Sequence, residues 1–445
     1  MKVSEKDVSH IWLEGRFSRL RDEEGNDIEV VFGGRQAAGK GCDFQDAVLK
    51  INGIKCCGDV EIHVSSDLWK KHGHDRDHKY NNVILHVALW EKGGLPALLY
   101  RGINIPTVIL GSAPAQFSLR RQGCPHAERL SCSELEDILR YCGLQRLSVK
   151  ARGFMELISI QGPQQALYSD ICRALGYSRN KVAMSRLAEL MPFRMWQEMQ
   201  GEGIDRKMAI AMGISGLLPS QANPRAIVPS DSMAEKLERE WEFHRHTGER
   251  IERYEWCFSG IRPANSPLRR VAALCCLMDG SADKWLQDER DLMENIPDRR
   301  AAYAFEAKLM LSGPVYWSCH YDFGRPLRRP QMLLGRGRTR EITVNSILPF
   351  FLARAWFDGD EEMTRRVADF YCVYPPLPEN EITRYMQNLL LPGGWQHING
   401  GMQQGLLHIF HSYCQTRDCS RCPVFMRRRQ VWGQRQAARY QSARL

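Results

Sequence analysis

Three residues near the start of the chain have the types and spacing needed to hold a divalent cation. Glu61 and His63 alternate with the apolar residues Val60 and Ile62, which is the pattern of a β-strand with one polar face. The carboxylate and the imidazole therefore share a face. Asp43 lies near the start of the preceding predicted strand. Two carboxylates beside a proton-active ring suit the metal-dependent hydrolysis of a phosphodiester.

Each of these residues has an expected role and a plain structural alternative. Asp43 and Glu61 are candidate ligands for Mg²⁺ or Mn²⁺, since Mg²⁺ keeps several waters and needs only one or two carboxylates. His63 is the candidate group that orients water, accepts a proton or stabilises charge on the phosphate. Glu14, on a predicted first helix, is a candidate extra ligand. In the alternative interpretation, Glu61 and His63 form a polar pair on a solvated sheet face, and Glu14 faces solvent.

A dense group of histidines and aspartates follows the predicted strand. Residues 72–78 read His-Gly-His-Asp-Arg-Asp-His, and such a set binds transition metals or contacts a phosphate backbone through His72 and His74. The alternative is a polar loop that covers the end of the sheet. His86 lies on a later apolar strand and is predicted either to reach the face of Glu61 or to be a hydrogen-bonded core histidine.

Three cysteines near the end of the chain have the spacing of a metal site. Cys414, Cys419 and Cys422 form a Cys-x₄-Cys-x₂-Cys pattern, and thiolates at this spacing bind Zn²⁺ or an iron–sulfur cluster. Both metals remain open at this stage. The alternative is a set of free thiols in a reduced protein.

A metal held by these cysteines requires a fourth ligand. His411, three residues upstream of Cys414, would complete a zinc site with three cysteines and one histidine. Cys372 or Cys319, from elsewhere in the chain, would complete a site with four cysteines.

The charge of the chain favours an anionic partner. The net charge is +9 at pH 7 over 445 residues, and we expect nucleic acid to be the partner. The C-terminal tail is rich in arginine, and Arg427, Arg428 and Arg429 are candidates for contact with phosphates. A generically basic surface and a frayed basic end are the alternatives.

The first hundred or so residues are predicted to form an α/β unit. A helix is expected over residues 7–17, strands over 27–32, 44–51 and 58–64, a short helix from 65 to 71, and a strand over 82–89. The short links between the first three strands favour an antiparallel meander. The helix before the fourth strand permits parallel pairing. The predicted fold class is therefore α/β with a mixed sheet, followed by mostly α-helical domains.

Composition limits the class of protein. The chain is 43% hydrophobic and 25% charged, as in ordinary globular proteins, and its apolar runs are shorter than a membrane span. The N-terminus does not resemble a signal peptide, and 15 cysteines are an odd, scattered set. We therefore expect a cytoplasmic protein with no membrane partner. Turn-rich stretches predict boundaries after residues 112 and 220, and a long polar helix is expected from 230 to about 256.

Several longer sequence motifs give the chain a family resemblance. Residues 41–47 read Gly-Cys-Asp-Phe-Gln-Asp-Ala and residues 345–350 read Asn-Ser-Ile-Leu-Pro-Phe. The chain resembles a bacterial family catalogued as domain-of-unknown-function family 2851, in which Gly-Pro-Asp-Phe is common where this chain has Cys42. The other motifs that carry the resemblance are residues 58–63, 67–74, 80–87, 174–180, 262–267 and 404–408.

The N-terminal unit also resembles the restriction-endonuclease-like, or PD-(D/E)xK, nuclease superfamily. Asp43 and Glu61 match the two acidic positions of that motif, whereas His63 stands where the superfamily has Lys. The resemblance implies a metal-dependent nuclease. The missing Lys keeps open an inactive nucleic-acid-binding or scaffold protein with a degenerate core.

The expected domains follow from this resemblance and from the turn-rich boundaries. They are a nuclease-like domain (1–112), two helical domains (113–220 and 221–410) and a Cys-rich segment with the basic tail (411–445).

Overall fold

The computed structural model describes most of the chain, with gaps. The described residues are 3–14, 20–37, 41–93, 96–112, 124, 126–127, 130–221, 231–244, 248–258, 261–279, 302–303, 306–307, 309–391, 398–415 and 418–427, without the side chains of 13, 14 and 381.

Strands are concentrated in the N-terminal part of the chain. They are β1 (Leu20–Arg21), β2 (Asp27–Phe32), β3 (Arg35–Gln36), β4 (Phe44–Ile51), β5 (Ile54–Ser65), β6 (Val83–Trp90), β7 (Ala97–Leu98), β8 (Asn104–Ile105), β9 (Thr107–Ile109), β10 (His320–Asp322) and β11 (Arg325–Pro326).

Helices make up most of the rest. They are α1 (Glu5–Glu14), α2 (Leu68–Lys71), α3 (Cys132–Gln161), α4 (Pro163–Leu175), α5 (Lys181–Leu190), α6 (Phe193–Glu198), α7 (Ile204–Ile214), α8 (Ser232–Glu242), α9 (Pro267–Met278), α10 (Val315–Cys319), α11 (Arg336–Ile342), α12 (Leu348–Asp358), α13 (Glu361–Val373), α14 (Glu381–Leu390), α15 (Gly400–Ile409) and α16 (Pro423–Arg427).

The main sheet is mixed, as the sequence predicted. Its order is β1-β2-β4-β5-β6-β9, with β3 paired to β4. Strands β2, β4 and β5 form an antiparallel meander, whereas β6 is parallel to β5 and β9 is parallel to β6. The predicted succession of helix, three strands, short helix and strand is confirmed, and so is the α/β fold class with mainly helical structure after it.

The β4–β5 hairpin is set by a two-residue turn. Asn52 and Gly53 both have positive φ, at 48° and 82°, as a type I′ turn requires. Ile51 therefore pairs directly with Ile54. Strand β5 begins at Ile54, four residues before the predicted strand start, because this turn lets the hairpin begin at once.

The two faces of the sheet have different environments. On one face, Val60 and Ile62 of β5 pack in a core cluster with Val8 and Trp12 of α1. The amphipathic helix α1 thus buries its apolar side against the sheet. Because side chains alternate along a strand, Glu61 and His63 point to the opposite face.

A β-bulge interrupts the β4–β5 pairing beside that opposite face. Phe44 pairs with Val60 and Ala47 pairs with Gly58, so two residues of β4 stand against one of β5. Asp46 in this bulge has a φ of 58°. Bulges bend a strand and re-aim neighbouring side chains, and this one directly follows the start of β4.

The described residues group into two compact units. The first comprises residues 1–138, 379–396 and 406–445, and the second comprises 139–378 and 397–405. The second unit is helical, with α4 against α5, α7 against α8 and α12 against α13 around one apolar core. The four-domain division expected from the sequence remains a prediction, although the contacts join C-terminal segments to the N-terminal sheet.

One sequence-based helix is shorter than expected. The polar helix predicted to reach about residue 256 ends at Glu242, and residues 253–255 form a 3₁₀ turn. Gly248 lies between them, and glycine costs about 1 kcal/mol in a helix interior. Among the helices that the structure describes, none has the length and hydropathy of a membrane span.

Candidate metal centre

Adjacent parallel strands place three of the predicted residues on one sheet face. Glu61 and His63 lie on β5, and the Cα partner of Glu61 on β6 is His86. All three side chains are buried, with exposed fractions of 6%, 1% and 1%. Polar side chains buried to this extent require partners, and here they are partners of one another and of residues that follow β5.

The two carboxylates are fixed by backbone hydrogen bonds across the β4–β5 pair. The Asp43 N–H donates to Glu61 Oε2 at 2.9 Å, and the Ile62 N–H donates to Asp43 Oδ2 at 3.0 Å. Burial, and then the charge of Glu61, raise the pKa of Asp43 to about 7. Each carboxylate thus has one oxygen engaged by the backbone, and Glu61 Oε1 faces the histidines.

Three imidazoles converge beside Glu61. His63 Nε2 lies 3.2 Å from His72 Nδ1 and 3.2 Å from His74 Nε2. Glu61 Oε1 lies 3.3 Å from His74 Nε2 and 3.9 Å from His63 Nε2. The ligand nitrogens of the three histidines all lie within 4.8 Å of one another, with His63 and His74 buried and His72 exposed.

Three of these separations, 3.2, 3.2 and 3.3 Å, are close to the edge of a tetrahedral metal site, whereas the 3.9 Å separation is longer. A tetrahedral ion with metal–nitrogen bonds of about 2.0–2.1 Å has neighbouring ligand atoms about 3.3–3.4 Å apart. In a hydrogen-bond network the one proton or lone pair of His63 Nε2 would be shared between two imidazole nitrogens, whereas a single metal ion accepts a lone pair from each nitrogen. Imidazole nitrogens with one carboxylate oxygen are ligands suited to a transition metal.

The other ring nitrogen of His63 is also engaged. His63 Nδ1 lies 3.0 Å from His86 Nε2, and His86 Nδ1 lies 3.2 Å from Thr107 Oγ1 on β9. Burial, followed by the neighbouring His86, lowers the pKa of His63 to about 2, and burial lowers that of His86 to about 3. Both rings are therefore neutral, which is the state that binds metal, and the chain from Thr107 orients His63.

Aromatic side chains cover the cluster. The Trp69 ring of α2 lies 5.3 Å from His74 and 5.2 Å from His86 between centroids, and its Nε1 donates to Leu98 O at 2.9 Å. The Tyr80 ring lies 3.9 Å from that of His74. Helix α2 and the turns after it thus cover the group, and His72 is its exposed member.

The predicted residues separate into those that converge and those that do not. The structure brings together Asp43, Glu61, His63, His72, His74 and His86. His78 lies apart, 80% exposed, with Nδ1 3.7 Å from Asp77 Oδ1. Glu14 ends α1, but its side chain lies outside the described residues. Sequence reasoning missed Thr107 and Trp69, because neither belongs to a polar pattern.

The basic residues of the C-terminus are only partly described. Arg427 ends α16 and its Nε lies 3.3 Å from Glu134 Oε1. Arg428 and Arg429 lie outside the described residues. The predicted contact of these arginines with nucleic acid stays a prediction, and Arg427 already has an acidic partner.

The fold and the site define a protein with a mixed-sheet α/β unit that carries a histidine-rich candidate metal centre, joined to a helical unit. The chain belongs to the family described as "Protein of unknown function (DUF2851)", whose model matches residues 5–380. That match contains the whole candidate centre. Neither the curated proteins nor the solved structures include a match to the chain.

Proposed function

We propose that this protein is a metal-dependent hydrolase that cleaves phosphodiester bonds of nucleic acid. The observation that carries the proposal is the convergence of Glu61 and three histidine nitrogens at metal-ligand spacing, with Asp43 beside them. A transition-metal cation at this position supplies a Lewis acid for a phosphate oxygen and a source of hydroxide at neutral pH.

The ligand set points to Mn²⁺ or Zn²⁺ in preference to Mg²⁺. Mg²⁺ prefers oxygen ligands and water, whereas His63, His72 and His74 offer nitrogen. In this assignment His63 is a ligand, since both of its ring nitrogens face other histidines. Asp43 then becomes the carboxylate that orients the attacking water, and the exposed His72 marks the side from which substrate approaches.

Nucleic acid is proposed as the substrate for two reasons. The net charge of +9 favours a polyanion. The strand order around Asp43 and Glu61 also agrees with the order expected from the resemblance to PD-(D/E)xK nucleases, and these residues match its acidic positions.

One observation favours a second candidate, a nucleic-acid-binding protein without cleavage activity. His63 stands where the nuclease motif has Lys, and it is 1% exposed with both ring nitrogens engaged. It does not replace the free cation that Lys provides. In this candidate the histidine cluster holds a structural metal.

The proposal is tested by cleavage assays on single- and double-stranded DNA and RNA with Mn²⁺, Zn²⁺ or Mg²⁺. We expect metal-dependent cleavage by the wild type and a loss of at least about 100-fold in Glu61→Gln and Asp43→Asn, as for removal of a transition-state contact. Cleavage by these variants at the wild-type rate would refute the assignment.

A matched control separates chemistry from charge. Glu29→Gln removes a carboxylate from β2, where Glu29 Oε2 pairs with Lys50 Nζ at 3.1 Å on the surface. Exposed ion pairs contribute little to stability, so this variant keeps both fold and cleavage. Salt-sensitive binding without cleavage by any of the proteins would select the second candidate.

A further inference from the structure

A second set of potential metal ligands, four cysteines, belongs to the first compact unit. It consists of Cys414, Cys419 and Cys422 near the C-terminus and of Cys124, almost three hundred residues earlier in the chain. None of these four described cysteines is in a disulfide bond, and all belong to the same unit. This site lies outside the chemistry proposed above and does not depend on it.

The three C-terminal cysteines lie on a sequence of tight turns. Cys414 ends a π-helical turn, Phe410–Cys414, and Cys419 begins a 3₁₀ turn, Cys419–Arg421. The Cys422 N–H donates to Cys419 O at 3.2 Å, and Pro423 starts α16 directly afterwards. π-Helical turns are rare and are frequently found at functional sites.

The segment around Cys124 packs against helices α14 and α16. The Cys124 N–H donates to Leu389 O at 2.6 Å. Two residues on, the His126 ring lies 4.9 Å from that of Phe425 on α16. Further along this segment, Glu134 Oε1 meets Arg427 Nε at 3.3 Å. Two independent contacts therefore hold the segment of Cys124 against the helix that follows Cys422.

The electrostatics of the thiols agree with this packing. Burial raises the pKa of Cys414, and so do Cys422, Cys124 and Cys419, in that order. Burial raises the pKa of Cys422 to about 11, although backbone hydrogen bonds from Val424 and Phe425 act in the opposite direction.

We propose that Cys124 is the fourth ligand of a four-thiolate metal centre with Cys414, Cys419 and Cys422. A thiophilic metal, either Zn²⁺ or an iron–sulfur cluster, is the ligand class that four cysteines bind. The role is structural: the centre links the C-terminal turns to the segment that precedes α3.

The fourth ligands expected from the sequence fit this site less well than Cys124 does. His411 is exposed on the π-helical turn, where its Nδ1 lies 3.5 Å from Gln415 Oε1. Cys372 and Cys319 belong to the second compact unit. Cys124 could not be identified as a ligand from the sequence, because it lies hundreds of residues away and is not part of the Cys-x₄-Cys-x₂-Cys pattern.

The test measures iron and zinc in full-length protein purified without oxygen, together with its visible absorption. We expect either iron with the absorption of an iron–sulfur cluster, or zinc that cobalt(II) replaces with thiolate charge-transfer bands. Cys124→Ser is expected to lose that metal and its spectrum, as is Cys414→Ser. His411→Ala is expected to keep both.

The matched control is Cys132→Ser, because Cys132 is an exposed cysteine eight residues along the chain from Cys124. This variant is expected to retain the metal. X-ray absorption of the wild type counts the ligands independently of any variant, and four sulfur neighbours are expected. Full metal content in Cys124→Ser, a nitrogen ligand from His411, or wild-type protein without either metal would each overturn the assignment.

Discussion

Single nitrogen atoms decide the chemistry of the candidate metal centre. His63 Nε2 faces both His72 Nδ1 and His74 Nε2 at 3.2 Å, so hydrogen bonding would have to share its one proton or lone pair between two contacts. A metal ion instead accepts a lone pair from each nitrogen. His63 also differs chemically from the Lys of the nuclease motif. A Lys at this position would carry a positive charge, whereas the imidazole of His63 is buried and neutral.

At this scale, the exposed ligand offers the cleanest test of metal binding. We expect His72→Ala to weaken Mn²⁺ or Zn²⁺ binding by at least about 10- to 100-fold, because losing even an outer partner of a metal ligand costs that much. Isothermal titration of protein stripped of metal measures the change. The fold should persist, because the side chain of His72 is exposed.

The histidine six residues further on is the matched control for this variant. His78 is 80% exposed and its near neighbour is Asp77 rather than the cluster. His78→Ala is therefore expected to bind the metal as the wild type does. Equal affinities for the two variants would mean that His72 is not a ligand.

The parallel pairing of β5 with β6 is the element that assembles the site. It sets Glu61 opposite His86, and a close approach at Gly58 permits it. A Cβ at Gly58 would lie 2.5 Å from Asn82 O and 2.5 Å from Ile84 Cγ2, so only glycine fits without displacing a strand. The register that brings the carboxylate to the histidines thus depends on a residue with no functional group.

Gly58→Ala is accordingly expected to destabilise the protein by about 1–3 kcal/mol, the cost of overpacking, and to weaken metal binding because β5 shifts against β6. Urea unfolding and metal titration measure the two effects. In the control, Gly153→Ala on α3, the added Cβ meets no atom within 4 Å, and a gain of about 0.5–1 kcal/mol is expected. A Gly58→Ala protein as stable as the wild type would show that the strands tolerate the added atom.

Charge acts at the scale of the whole molecule. The chain carries 61 Lys and Arg residues against 52 Asp and Glu residues, and the surplus is spread over both compact units. Such a distribution attracts a polyanion without specifying its sequence. This charge is a property of both the cleaving and the non-cleaving candidates.

We expect binding to nucleic acid to weaken linearly in log Kd against log salt concentration, since bound phosphates release counterions. Fluorescence anisotropy with labelled DNA and RNA between low and physiological salt measures the slope. Asp43→Asn serves as the non-cleaving form and should retain this slope. An affinity that salt leaves unchanged would contradict a phosphate-binding surface.

Local patterns determined much of the first unit. Alternation placed Glu61 and His63 on one strand face, and the short links predicted the meander of β2, β4 and β5, because side-chain direction and short connections follow from neighbouring residues. The histidines after β5 could also be recognised as a group, because they lie close together in the sequence. The extent of the strands was less predictable, as the early start of β5 after Asn52 shows.

Only the tertiary structure decided which of these residues meet. No local pattern connects the residues that make these contacts. They include His63 with His72, His86 with Thr107, and the segment of Cys124 with helix α16. Sequence spacing specifies geometry within one element, whereas ligand geometry depends on how elements pack. For that reason the sequence indicated a candidate site with two carboxylates, and the tertiary structure places three imidazoles beside one of them.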